Sequence, residues 1–203
     1  MNPPPATDPT GLTRLQQPTS LDVEESNNVV SVRGPSNGRI DLTIQVPVRT
    51  GLKLIKRAQG SNLGTITVRG LDGDLEINTG AGTITLADVS GSIVAHSTMG
   101  SVVATVRRVT PDRPMAFTSY SGNVDVTLPR SVKADLILRS HHGDVFTDFD
   151  VQVKNSAPAD PRQLGGGFRR NGNEPIRAAV NGGGPEFELR TFAGNVYVRK
   201  GAQ

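Results

Sequence analysis

The residues of this 203-residue chain whose types could support chemistry are three histidines, nineteen carboxylates and two glycine-rich runs. His96 stands alone, and His141 and His142 are adjacent. A metal needs converging ligands, whereas neighbouring side chains on an extended chain point apart, so the histidines supply no ligand set. Asp72, Asp74, Asp144, Asp148 and Asp150 raise the question of calcium, but the Gly-Gly-x-Gly-x-Asp turns of calcium-binding solenoids are absent. GGGFRRNG at 165–172 and NGGG at 181–184 lack the Gly-Lys-Ser/Thr ending of a phosphate loop and read as surface turns, with Arg169, Arg170 and Arg177 as solvated loop charges. There is no cysteine, which excludes disulfides, thiolate catalysis and cysteine-ligated zinc. The sequence therefore predicts no catalytic residue, no metal, no cofactor and no enzyme.

The elements that must position these side chains come from a periodicity. Written in nines from Gly64, the chain reads GTITVRGLD, GDLEINTGA, GTITLADVS, GSIVAHSTM, GSVVATVRR. Each glycine is followed by residues two and four places on that share one face of a strand. A unit of one strand and one turn cannot bury its apolar face alone, so successive units must stack. A stricter pattern, Ser/Thr-x-x-Gly-x-apolar-x-apolar, has glycines at 64, 82, 100, 122, 143 and 194, in steps of 18, 18, 22, 21 and 51. The fold class is all-β: a parallel β-solenoid, or single-stranded β-helix-like stack, of about six coils.

In that register one sheet turns Ile66, Ile84, Val102, Val124, Val145 and Val196 inward, while Leu75, Ile93, Met115, Leu136 and Phe187 line the opposing sheet. The glycine fits a corner that needs positive φ or a close approach between coils, and the hydroxyl three residues earlier can bond the backbone there. The 51-residue step implies a long surface loop at about 154–184. Residues 1–25, rich in proline and polar groups, read as a disordered tail, with the solenoid domain at 26–203. Its first strands come from VVSV at 29–32 and the alternation Ile40, Leu42, Ile44, Val46, separated by the turn PSNG at 35–38.

Two sets of outward residues matter for function. Tyr120, His141 and Phe192 each lie two residues before a motif glycine and form a ladder in consecutive coils, ring against ring. Such a ladder either stabilises the turns or offers a platform to a sugar or partner. Among the acids, Glu76 and Glu188 fall at opposite ends of the stack, and Asp125 has Thr85 or Val103 and Phe146 beside it. No acid–base pair emerges.

The segments FTSYSGNVDVTLP, LRSHHGDVFTDF and VNGGGPEFELRTFAGNVYVRK resemble the bacterial putative adhesin family, a domain of unknown function with β-helical cell-envelope domains. The resemblance covers Val29 to Lys200. It implies a non-enzymatic binding or scaffold module of the cell envelope, periplasmic or extracellular, with a polysaccharide or another envelope protein as partner. A self-associating scaffold and a carbohydrate-active β-helix enzyme are the alternatives. The net charge of +3 is spread along the chain, which gives no reason to expect nucleic acid. No run approaches the ~18 apolar residues of a membrane span, so no membrane insertion is expected, and MNPPPATDPTGLTRLQQPTS, without a basic and an apolar region, is not expected to act as a signal peptide.

Overall fold

A computed structural model describes residues 21–34, 40–56, 64–154 and 174–202. The described residues contain strands and no helix, hence none long and apolar enough to cross a membrane. The chain divides into two units, Met1–Gln45 and Val46–Gln203.

In the first unit, β1 (Asp22–Ser26) and β2 (Val29–Arg33) pair antiparallel. Asn27 and Asn28 join them with φ of 51° and 60°, a two-residue turn with both central residues left-handed, which matches the twist of a hairpin. A strand thus begins inside the segment expected to be a tail; residues 1–20 lie outside the described residues. Residues 40–48 form no strand, and Ile40, Leu42, Ile44 and Val46 are all exposed. Alternation signals a strand only when a neighbouring backbone completes the ladder, and among the described residues this segment meets one only at its end, where the Asp72 amide donates to the Val48 carbonyl at 2.7 Å. The PSNG turn also lies outside the described residues.

The second unit holds two sheets. The six-stranded sheet runs β12 (Val145–Thr147), β16 (Val196–Lys200), β10 (Val124–Leu128), β8 (Val102–Arg108), β6 (Ile84–Ser90), β4 (Ile66–Arg69). The eight-stranded sheet runs β13 (Val151–Val153), β14 (Ile176–Val180), β11 (Ala134–His142), β15 (Glu186–Ala193), β9 (Met115–Ser121), β7 (Ile93–Met99), β5 (Leu75–Ala81), β3 (Leu52–Lys56). All pairs of the first sheet are parallel, as are those from β3 to β11 in the second; β14 pairs antiparallel with β11 and β13. The register joins Ile66, Ile84, Val102, Val124, Val196 and Val145 in one buried row. Leu75, Ile93, Met115, Phe187 and Leu136 form its counterpart, and the inward side chains of both sheets make one apolar core.

These are the expected inward rows in a different order. The C-terminal unit, β15 and β16, does not follow the unit of Gly143; it sits between that unit and the unit of Gly122. Parallel pairing requires matching faces, not chain order, and the last unit carries the same face. The expected loop at 154–184 also needs correction. Residues 155–173 lie outside the described residues, but Ile176–Val180 is a strand on β11, with Ala178, Ala179 and Val180 buried. Its small side chains fit the end of the core.

NGGG has a structural reason. β14 and β15 flank β11, so the chain between them must cross the start of that strand. Asn181, Gly182 and Gly183 take φ of 48°, 90° and 84°, and a Cβ on Gly184 would stand 2.4 Å from the Lys133 carbonyl oxygen. Asn181 Nδ2 donates to the carbonyls of Arg130 (3.1 Å) and Val132 (2.8 Å), fixing the crossing.

Candidate functional site

The corners after β7, β9, β15 and β11 share one construction. The buried hydroxyls of Ser97, Ser119 and Thr191 donate to the carbonyl oxygens of Gly82, Gly100 and Gly122 in the adjacent unit at 3.0, 2.9 and 2.7 Å, and half-buried Ser140 reaches that of Gly194 at 2.8 Å. The same glycines pack backbone on backbone: a Cβ on Gly100 would lie 2.3 Å from Gly82 O, and one on Gly194 2.2 Å from Gly122 O. The position after the glycine continues the ladder on the solvent side. Asn123 Oδ1 accepts from the Asn195 amide at 2.8 Å, and Asn195 Oδ1 accepts from the Asp144 amide at 2.9 Å.

This scaffold sets the outward residues two places before each glycine side by side. Tyr120 and Phe192 stack at 4.8 Å between centroids with an interplanar angle of 3°, and Phe192 meets His141 at 5.2 Å and 39°. His142 adds an edge contact to Phe192 at 4.9 Å. The predicted ladder therefore forms, with Phe192 in the middle rather than at the end, because β15 lies between β9 and β11. Offset ring pairs of this kind are worth about 0.5–1.5 kcal/mol each beyond their burial.

The next outward row in the same sheet is Asn78, His96, Thr118, Arg190, Arg139. His96 Nδ1 and Thr118 Oγ1 are 2.8 Å apart. Arg190 and Arg139 stand directly opposite one another on neighbouring strands. They act on the ladder: the His141 imidazole binds its proton less readily than an ordinary histidine, first through partial burial, then through the positive charges of Arg139 and Arg190, with His142 contributing. A further row holds Glu76, Val94, Ala116 and Glu188. Glu188 is not at the end of the stack, as expected, but three strands from Glu76, roughly 14 Å at 4.8 Å per strand. Glu76 pairs with Lys53 at 2.8 Å and Glu188 with Arg190 at 3.4 Å.

Outside the six-stranded sheet is an arrangement that sequence reasoning missed. Phe146 and Tyr197 stack at 5.1 Å and 12°, Arg199 lies 5.0 Å over the Tyr197 ring, and Arg199 Nε donates to both oxygens of Asp125 at 2.9 and 3.0 Å. The Asp125 hydrogen bond, then its charge, tightens the hold of Arg199 on its proton. Asp125 is flanked by Val103 and Tyr197, not by Phe146 as the sequential order suggested. A shallow hollow of about 210 Å³ lies beside these rings, lined by Phe146, Thr147, Asp148, Tyr197, Val198 and Arg199. The missed signal was the GNV shared by 122–124 and 194–196, since like units with stacked asparagines belong next to each other.

Among the described residues no group of three or more His, Cys, Asp or Glu could hold a metal ion. Arg177, expected in a loop, is exposed on β14; Arg169 and Arg170 lie outside the described residues.

A family model described as Toastrack DUF4097 matches residues 60–183. No curated protein matches the chain. A crystal structure of a putative cell adhesion protein from Clostridium sporogenes is similar over 90% of this chain and 76% of that one, with 9% identity and a TM-score of 0.46.

Proposed function

The chain belongs to the Toastrack family, a domain family of unknown function, and from that premise we propose that it is a non-enzymatic binding or scaffold module of the cell envelope or extracellular space, adhesin-like in kind. We read its architecture as a parallel β-solenoid of about six coils with one coil out of chain order. The observation that carries the functional reading is the gathering of Tyr120, Phe192, His141, Arg190 and Arg139 on the outward side of three neighbouring strands. Exposed rings and arginines are the residue types that anchor partners.

The placement of the acids supports a non-catalytic role. Glu76, Glu188 and Asp125 each face a cation, and the Glu76–Glu188 spacing exceeds the ~5–10 Å over which paired carboxylates cleave glycosides. A monomeric binder is favoured over a self-associating scaffold: among the described residues the six-stranded sheet ends in β4 and β12, of four and three residues, and edges that short template poorly.

The test is to apply the full chain to a glycan array and to washed cell envelopes, and to assay bound glycans for new reducing ends. Saturable binding without cleavage is expected. Cleavage, or no binding on either surface, would overturn the reading.

A further inference from the structure

We propose, resting on the binding-module reading, that the outward face of β9, β15 and β11 binds a carboxylated polysaccharide, held by the Arg139–Arg190 pair and walled by the Tyr120–Phe192–His141 ladder. Four observations carry this. First, two arginines, Arg139 and Arg190, occupy directly opposite positions across a parallel pair of strands, which concentrates positive charge at one point of the outward face. Arg190 meets the Glu188 carboxylate at 3.4 Å with both side chains well exposed, a weak contact that a ligand carboxylate can replace.

Second, on β5, β7, β9, β15 and β11 neither the arginine row nor the ring row contains an acid: the first reads Asn78, His96, Thr118, Arg190, Arg139 and the second Gly80, Thr98, Tyr120, Phe192, His141. Third, the rings present their edges to solvent because their faces are turned to one another; Tyr120 is 54% and Phe192 37% exposed. A ring edge is the positive end of its quadrupole, so the ladder and the arginines favour the same sign of ligand. Fourth, the imidazole at the end of the ladder holds its proton less readily than usual, first through burial and then through the positive charges of Arg139 and Arg190.

The same geometry selects the class. A single-stranded nucleic acid needs open ring faces on which bases stack, and here Phe192 meets both Tyr120 and His141, and one face of Tyr120 is taken by Phe192. A saccharide chain needs no such face. Its carboxylates are planar and fit the guanidinium fork, while its hydroxyls can meet Thr98, Thr118 and Asn78 in the same two rows.

The experiment is calorimetric titration of the intact chain with polygalacturonate, dextran sulfate, neutral dextran and single-stranded DNA, using wild type, Arg190→Gln, Arg190→Lys and Arg107→Gln. Arg107 is exposed on β8 of the other sheet and controls for net charge. The expected result is that polygalacturonate binds best, that Arg190→Gln weakens it about tenfold, as losing one charge-assisted hydrogen bond does, that Arg190→Lys recovers part of the loss, and that Arg107→Gln changes nothing. Equal loss in Arg107→Gln, or binding to dextran sulfate or DNA as tight as to polygalacturonate, would reduce the face to a diffuse charge effect and overturn the proposal. Failure to bind polygalacturonate while the array or envelopes bind would sink this inference and leave the module reading standing. Failure on every surface would sink both.

Discussion

The units of β4 to β8 and those of β9 to β12 with β15 and β16 are alike inside and unlike outside. Both regions bury the same aliphatic rows, bring glycine against glycine at the corner and donate a buried hydroxyl to the neighbouring glycine carbonyl. On the outside, the first region shows Thr67, Thr85 and Val103 where the second shows Asp125, Tyr197 and Phe146. Thr98 likewise gives way to Tyr120, Phe192 and His141. The stack fixes the interior through backbone contacts that tolerate no substitute, which leaves outward positions free to specialise. Specialisation is concentrated where the C-terminal unit is inserted: Phe192, Arg190, Tyr197 and Arg199 all come from that one unit, between strands that already carried Tyr120, His141, Asp125 and Phe146.

The comparison breaks most easily at the glycines. Gly100→Val in the plain region and Gly194→Val in the decorated one should both destabilise by several kcal/mol. Each has φ between +140° and +155° (141° and 152°), and each added Cβ would meet a carbonyl oxygen at 2.3 or 2.2 Å. Thr67→Val, exposed on β4, should stay within about 0.5 kcal/mol. Urea melts decide it. Loss confined to Gly100→Val would mean that the inserted unit is held less tightly than the units it resembles.

A smaller effect should follow from the hydroxyls. Ser97→Ala and Thr191→Val each remove the donor to a glycine carbonyl, Gly82 or Gly122, and should cost about 1–3 kcal/mol through the buried oxygen left without it. Similar losses in the two variants would show that the interior is one construction in both regions. A neutral Thr191→Val with a costly Ser97→Ala would contradict that.

The interior was legible in the sequence because glycine, hydroxyl and period-two apolar residues each leave a mark at a fixed offset. The inward row Ile66, Ile84, Val102, Val124, Val145, Val196 and its counterpart Leu75, Ile93, Met115, Leu136, Phe187 could be assigned that way. Spatial order could not, since a parallel ladder matches faces and gives no preference to the next segment in the chain; only the GNV shared by 122–124 and 194–196 hinted that these units touch. β14 was hidden in glycine-, proline- and arginine-rich sequence, where Ile176, Ala178 and Val180 alternate too briefly to stand out. Residues 40–46 erred the other way, with clear alternation and no strand. The ladder residues Tyr120, His141 and Phe192 were legible as a set, whereas Arg139, Arg190 and the Phe146–Tyr197 stack required the register.

The ladder sharpens the comparison at the level of single rings. Because Phe192 lies between its neighbours, Phe192→Ser should cost more than Tyr120→Ser or His141→Ser, about 1.5–4.5 kcal/mol from three ring contacts, with Tyr120, His141 and His142, at ~0.5–1.5 kcal/mol each. The double variant Tyr120→Ser/His141→Ser should fall short of the Phe192→Ser value by about the one contact it leaves, that of Phe192 with His142. Thermal melts showing Tyr120→Ser as the costliest single change would place Phe192 outside the middle of the ladder and undo the inserted order of β15.

The smallest expected effect is a dependence on pH. Partial burial, Arg139, Arg190 and His142 lower the proton affinity of His141 in the folded chain, whereas the unfolded chain keeps the ordinary histidine value of about 6.5. Well above that value the imidazole is neutral in both states and contributes no slope. As pH falls below it, the unfolded chain takes up the proton more readily, so folding stability declines through the window between 6.5 and the lower folded value. The decline should be slight, because the ring is exposed and its surroundings are screened. Urea midpoints measured from pH 7.5 to 5 should fall less in His141→Asn than in wild type, the difference opening only below about 6.5. A carboxylated ligand on Arg139 and Arg190 should narrow it by countering the charges that oppose protonation. If the two profiles superimpose without ligand, the field of the paired arginines does not reach the ladder, and the ring row and the basic row are neighbours without being one surface.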